Sequence, residues 1–399
     1  MSHPLKIKEF RAYWIGQVIS LSGTWMQQIA QSWLVYVLTK SAFYLGLISF
    51  ITSFPTLLFS LFGGVVADRY PRRNILIATQ ILSSLPAVVI GVLIYLNLIN
   101  IWHIAIASFV LGIATSFDMP ARQAFITEIV HQDMITSAIA MQSISFNIAR
   151  ILGPMLAGFI VAHLSFYMCF YLNALSFLPL IFILFSIKLN FSTSSSHVSF
   201  KESLKEGWQF ILKNRQILNI ICSVGIFTLF GVSFMTILPI IAGEILKVEA
   251  EGFSMIVSSV GLGSLLSGIF IALKRDIQEK LNHIFRASLL FPVGLSGVAL
   301  SHNIYLTMGF AFLLGIAFVN FFTVSNSFIQ NLTEQRLRGR VMSFFAFVFL
   351  GFTPIGNLVV GALVQKFGVK TVLELYSLIC LAGGIIFLKI LPATKRKAL

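Results

Sequence analysis

Acid–base pairs, one isolated arginine and two rows of amides and hydroxyls are the residues of this chain with chemistry to offer. Asp68, Arg69, Arg72 and Arg73 follow Gly64, and Asp118 precedes Arg122 by one helical turn. A carboxylate at such a place binds a guanidinium or the free N–H groups of a helix start, which is the chemistry of a latch. Arg150 stands alone in an apolar run. Gln17, Ser20, Thr24, Gln28 and Gln31 recur every three or four residues, and so do Asn320, Thr323, Ser327 and Asn331, with Asn326 and Gln330 alongside. Each row is one face of a helix. These groups recognise and switch; they do not break bonds. No Walker A, HExxH or GxSxG pattern and no paired carboxylates within an apolar run occur, so neither an enzyme nor ATP hydrolysis is expected. Cys169, Cys222 and Cys380 lie singly in apolar runs without CxxC spacing and read as small buried side chains, so no metal or cofactor is expected.

The elements that position these groups follow from composition. Of 399 residues, 57% are hydrophobic and 11% charged, with 39 phenylalanines. Soluble domains carry roughly 45–50% apolar and about 25% charged residues. Disorder, a disulfide scaffold and a soluble enzyme are excluded. The apolar runs are continuous and do not alternate, which excludes a β-barrel. At about 20 residues per crossing, the runs give twelve spans near 12–38, 42–67, 74–98, 101–126, 137–163, 165–187, 216–246, 252–273, 281–301, 304–332, 341–367 and 369–391. The expected fold is an all-α membrane protein of two pseudo-symmetric six-helix bundles, residues 1–187 and 216–399, joined by a linker at 188–215. The linker opens with the serine-rich run 192–196. An amphipathic helix follows, with Ser199 and Glu202 at capping-box spacing and Phe200, Leu204, Trp208, Ile211 and Leu212 on one face, suited to an anionic membrane surface.

The net charge of +14 is sorted by side. Of 28 Lys and Arg, only Lys40, Lys247, Lys366 and Lys370 fall opposite the termini, and Arg150 lies inside a span. The positive-inside rule then places both termini and the linker in the cytoplasm. Nucleic-acid binding is excluded, because the basic residues are divided among short loops. Met1 to Phe10 is short and basic and is not expected to be a cleavable signal. The halves echo one another. Phe125–Glu128 (FITE) ends span four and Asn331–Glu334 (NLTE) ends span ten; Gly153 and Pro154 interrupt span five, and Pro354 and Gly356 interrupt span eleven. A parallel repeat of this kind is a known transporter plan with its site near the midplane.

The run from Gly64 through Ala67, Asp68, Arg69, Arg72 and Arg73 resembles the loop signature of the major facilitator superfamily. Gly153, Pro154, Ala157 and Gly158 resemble its exporter-associated glycine–proline motif. Asp118, Pro120, Ala121, Arg122, Gln123, Ala124 and Phe125, with Phe146, Asn147, Ala149 and Arg150, resemble the branch holding the enterobactin exporter and macrolide efflux proteins. The chain departs from the superfamily in span four, where Ser108 stands four residues before Gly112 in place of a common arginine. The resemblance implies a latch in which Asp68 meets the start of span eleven near Arg340–Ser343. It also implies a charge relay among Asp68, Arg72 and Asp118, with Arg122 as another partner of Asp118. Ordinary positive-inside charges are the alternative. It further implies kinks at Gly153, Pro154 and Gly158.

Arg150 lies about 20 Å into span five. A central arginine costs about 2.5–3.5 kcal/mol on insertion scales and must face a partner or a wet cavity. Two readings stand: it attracts an anionic group of a substrate, or it bonds helix carbonyls around Gly153 and Pro154. The candidate substrate contacts are Gln17, Thr24, Gln28, Gln31, Arg150, Asn320 and Asn326, with helix packing as the alternative for each amide. The expectation is a monomeric secondary transporter in the lipid bilayer of the bacterial inner membrane. It would export a siderophore-like, anionic metabolite or an amphipathic drug by alternating access. Proton antiport is what the resemblance implies, with Asp118 as the candidate carrier. An importer, a lysophospholipid flippase and a membrane scaffold or receptor are the rivals.

Overall fold

A computed structural model describes residues 4–187, 200–273 and 277–390, and among them no strand occurs. The helices are α1 (Lys8–Thr39), α2 (Ala42–Arg69), α3 (Arg72–Tyr95), α4 (Ile101–Ile129), α5 (Ile135–His163), α6 (Phe166–Ser186) and α7 (Phe200–Lys213). They continue with α8 (Arg215–Ile226), α9 (Phe234–Ile240), α10 (Ala250–Leu273), α11 (Ile277–Leu300), α12 (Ile304–Leu332), α13 (Gln335–Phe367) and α14 (Val369–Ile390). Two π-helical turns, Phe227–Val232 and Ile241–Ile245, extend α8 and α9 into one span. The serine run 192–196 and the Ser199 half of the capping box lie outside the described residues.

Local chemistry sets the helix ends. Asn100, Asn214 and Asn303 cap α4, α8 and α12 by accepting backbone N–H groups, and His103 completes a capping box with Asn100. Lys40, Asn97, Lys247 and Gly368 take positive φ in the turns that close α1, α3, the α9 span and α13. Among the described residues eleven helices are long and apolar enough to cross a membrane. The sequence leads one to expect twelve; α1 has the length, 32 residues, but its glutamines and serines lower its apolarity.

The first compact unit holds α1, α2 from Ile51 onward, α3 to α6, and Val248–Ser258 at the start of α10. In it α1 packs on α5 and α6, and α3 on α4 and α6. Phe10, Tyr13, Ala67, Leu76, Phe125, Ala138 and Leu184 form a core at the end where α1, α3 and α5 begin. Lipid offers no hydrophobic drive between helices, so close approach and polar bonds must hold them. A Cβ on Gly112 would strike the Thr52 carbonyl of α2, and one on Gly153 would strike Trp25 of α1.

The second unit holds Ser41–Phe50, α7 to α9, α10 from Ser259 onward and α11 to α14. There α11 packs on α12 and α14. A Cβ on Gly315 of α12 would strike the Val260 carbonyl of α10, and Ser41 donates to Gln365 at 2.8 Å. The amphipathic α7 docks on α13: Ile211 is buried, Trp208 meets the Phe344 ring at 5.5 Å, and Glu206 pairs with Arg340 and, at 3.5 Å, with Arg336. Helix α13 therefore starts at Gln335, six residues before the expected position, because Glu206 neutralises arginines that read as a loop. The helix start that the latch needs is thus at Glu334–Leu337, and Arg340–Ser343 lie inside the helix.

Candidate functional site

In the first unit the polar residues of α1, α3 and α4 converge on Asp118. Its Oδ1 accepts from Thr79 Oγ1 and Gln80 Nε2, both at 3.0 Å. Its Oδ2 accepts from Arg122 Nε at 2.8 Å and lies 2.7 Å from Arg122 Nη2. Four donor groups surround one carboxylate, the single Thr79 hydroxyl hydrogen being shared with the Leu76 carbonyl at 3.0 Å. Ser20 of α1 donates to Gln80 Oε1 at 2.9 Å, so the network crosses three helices. Tyr13 packs beside Arg122, its ring edge-on to Phe125 at 5.2 Å. The ion pair is mostly shielded, with 9% of the Arg122 side chain and 16% of the Asp118 side chain exposed. Burial of this kind makes the pair costly to break from one side.

The α2–α3 turn has a separate arrangement. Arg72 pairs with Glu128 at the end of α4 and donates through Nε to the Ala67 carbonyl at 3.1 Å. Arg73 donates to the Ile187 carbonyl at 3.0 Å, placing a cation at the C-terminus of α6 where the helix dipole favours it. Asp68 and Arg69 are exposed, and a Cβ on Gly64 would meet open space. Glu128 was legible only as the acid of the repeated FITE segment, and Thr79 and Gln80 only as polar residues within an apolar span.

The α1 row divides on folding. Gln31 donates to Ser108 of α4 at 3.0 Å, so the position that lacks the common arginine takes an amide instead. Thr24 bonds its own helix at the Ser20 carbonyl, Gln28 is exposed, and Gln17 keeps a buried carbonyl oxygen with no protein partner. Gln27, outside the row, accepts from Asn173 of α6 at 2.6 Å. Helix α5 runs unbroken through Gly153 and Pro154. Gly158 meets Ser254 within the same unit. Arg150 is half-buried, one turn after Phe146, whose ring meets Trp25 edge-on at 5.5 Å. Phe146, Arg150 and Gly153 thus share the stripe of α5 that faces α1.

In the second unit Asn320 of α12 donates to Ser267 of α10 at 2.6 Å and its Oδ1 lies 3.1 Å from His283 Nδ1 of α11. Asn326 accepts from Gln330 one turn on, at 2.7 Å. Near the other end of α11, Ser296 lies 2.9 Å from both Glu374 and Ser377 of α14. Among the described residues no three His, Cys, Asp or Glu gather as a metal site. The polar groups link helices within apolar bundles.

Comparison with known proteins agrees with this architecture. The chain is 27% identical to the staphyloferrin A transporter of Staphylococcus aureus, over 87% of each chain, and 21% identical to macrolide efflux protein A of Streptococcus pyogenes, over 91% of each. A crystal structure of a peptide transporter of the POT type in complex with sulfate superposes with a TM-score of 0.77 at 12% identity, covering 99% of this chain and 96% of that one. A bacterial homologue of the iron transporter ferroportin, in an inward-facing state, gives 0.74 at 15%, covering 96% and 98%. A model of the transmembrane secretion effector family matches residues 2–399. The chain belongs to that family of the major facilitator superfamily, as a multi-pass membrane transporter of a small molecule.

Proposed function

We propose that the protein exports an anionic, siderophore-like metabolite across the bacterial inner membrane, by alternating access in exchange for protons, with both termini in the cytoplasm. The observation that carries the reading is Arg150, an arginine within a membrane span, one helical turn after Phe146, whose ring meets Trp25. Ferric chelators present hard anionic oxygen donors, and a guanidinium matches carboxylates in a planar, two-pronged way. The similarity to the staphyloferrin A transporter supports the same substrate class. Thr24, Gln28 and Asn326 complete the proposed contacts, while Gly64, Asp68, Arg69, Arg72 and Arg73 form the latch that changes partners as the transporter switches state. The one-sided arginines of the α2–α3 turn and of the start of α13 support the orientation.

The test compares metabolites secreted by cells with and without the gene under iron limitation, and with Arg150→Ala and Arg150→Lys. Arg150→Ala is expected to lower secretion of an anionic chelator more than tenfold, with partial recovery in Arg150→Lys. The resemblance to macrolide efflux proteins favours a second reading, export of an amphipathic drug. In that case Arg150→Ala keeps macrolide resistance and the secreted chelator is unchanged by deletion. Accumulation of the chelator by inverted vesicles marks export; its absence there, with uptake by whole cells, marks import and overturns the direction.

A further inference from the structure

The second unit holds a hydrogen-bonded chain whose protons can be counted. Ser377 Oγ of α14 lies 2.9 Å from the carbonyl oxygen of Pro292, which only accepts. Ser296 Oγ lies 2.9 Å from Ser377 Oγ and 2.9 Å from Glu374 Oε2. Three contacts therefore join four oxygens, and each serine hydroxyl supplies one hydrogen. An ionised Glu374 takes the Ser296 hydrogen and leaves one contact without any; for all three to be hydrogen bonds, Ser377 gives its hydrogen to the Pro292 carbonyl and Ser296 gives its own to Ser377. The third contact is then a hydrogen bond only if the carboxyl of Glu374 donates. A second observation points the same way. Glu374 Oε1 is buried and has no hydrogen-bond partner, an arrangement expensive for a carboxylate and tolerable for a carboxylic acid.

We propose that Glu374, held by Ser296 and Ser377, is a proton-binding site inside the membrane-spanning part of the second unit, and that it carries the coupling proton. The step breaks one O–H bond and forms another: Glu374 gives its proton to solvent water, Ser296 turns its hydroxyl to the carboxylate, and the Ser296–Ser377 contact loses its hydrogen. Proton release thereby leaves two of the three hydrogen bonds between α11 and α14, one of them now to a charged acceptor. No charged side chain is a hydrogen-bond or ion-pair partner of Glu374 among the described residues. Of the elements packed against α14, α9 and the turn Phe227–Val232 have no titratable residue, and α8 has Arg215 and Cys222. Helix α11 has its titratable residues, Glu279, Lys280, His283 and Arg286, in the half away from Ser296. Helix α13 brings Lys366 in its last turn, exposed, and its arginines lie at the opposite end. On α14 itself Lys370 is exposed, and Tyr376 and Cys380 are buried.

Infrared difference spectra of the full chain in liposomes, taken between acid and alkaline buffer, test the site without a substrate. The wild type is expected to show a protonated-carboxyl band that is lost in Glu374→Gln and retained in Asp118→Asn. The glutamine amide donates to Ser296 in the proton's place, so this variant keeps the joint. Ser296→Ala keeps the carboxyl and removes its acceptor, and the band is expected to shift. An unchanged band in Glu374→Gln, or no shift in Ser296→Ala, overturns the site. The coupling role rests on the export reading above and is read separately, as loss in Glu374→Gln of the dependence of secretion on external pH. Secretion with unaltered pH dependence overturns the coupling role alone. A wild type that secretes no chelator removes the export reading and leaves the infrared result standing.

Discussion

The third and fourth helices of each unit, α3 with α4 and α11 with α12, are joined by polar side chains at matching places in chain order, with opposite electrostatics. In the first unit Gln80 and Thr79 meet Asp118, which is closed by Arg122. In the second His283 and Ser267 meet Asn320, and no carboxylate or guanidinium takes part. The difference teaches where each unit stores its stability. A buried ion pair resists change until one partner goes, and then fails badly. An amide joint in a bundle is worth about 0.6 kcal/mol on average and at most about 1.7.

The largest expected effect follows directly. Arg122→Ala leaves the Asp118 carboxylate shielded from water without its cation, and a loss of about 3–5 kcal/mol is expected in thermal unfolding of the purified protein. The double variant Asp118→Asn with Arg122→Gln removes both charges and keeps the shape, and should recover most of the loss. If the single variant is no worse than the double one, the charged joint is not the distinguishing feature of the first unit.

Next in size is a change that should erase the difference between the units. Gly112 and Gly315 each let the fourth helix of a unit touch a backbone carbonyl of the second, Thr52 in one case and Val260 in the other. Gly112→Val and Gly315→Val should each cost about 1–3 kcal/mol through overpacking. Equal losses sharpen the comparison by showing that packing is shared and electrostatics is not. A loss confined to one unit breaks the equivalence of the two joints.

Much of this was legible in the residues, for reasons that differ by element. Span ten was expected at 304–332 and α12 runs Ile304–Leu332, because Asn303 caps the start and the apolar run is uninterrupted. The start of α13 was not legible, since Arg336, Arg338 and Arg340 look like a loop until Glu206, more than a hundred residues away, is seen to pair with two of them. The pairing of Asp118 with Arg122 follows from one turn of helix. Arg72 with Glu128 does not, because no periodicity in the chain relates the α2–α3 turn to the end of α4. The α1 row shows the limit of spacing arguments. Gln27 and Gln28 are adjacent and point about 100° apart, and folding ties the first to Asn173 and leaves the second exposed. The hydrogen count at Glu374 needed coordinates altogether, since Ser296 and Ser377 lie on different helices.

The smallest expected effects test the neutral joint itself. Asn320→Ala removes the donor to Ser267 and the partner of His283 together. Neither of the groups left behind is charged by necessity, and Ser267 also lies 3.4 Å from the Ile316 carbonyl, which can take its hydroxyl hydrogen. The expected loss is therefore near the average interhelical bond, about 0.6 kcal/mol, and below about 1.7. Gln31→Leu in the first unit is the matched control: it too removes one neutral bond, to Ser108, and should cost about the same. Two equal, small losses beside a large one for Arg122→Ala would locate the asymmetry in a single ion pair. A loss at Asn320 as large as that at Arg122 would mean that the amide joint holds its helices as firmly as the ion pair, and the contrast between the two joints would be withdrawn.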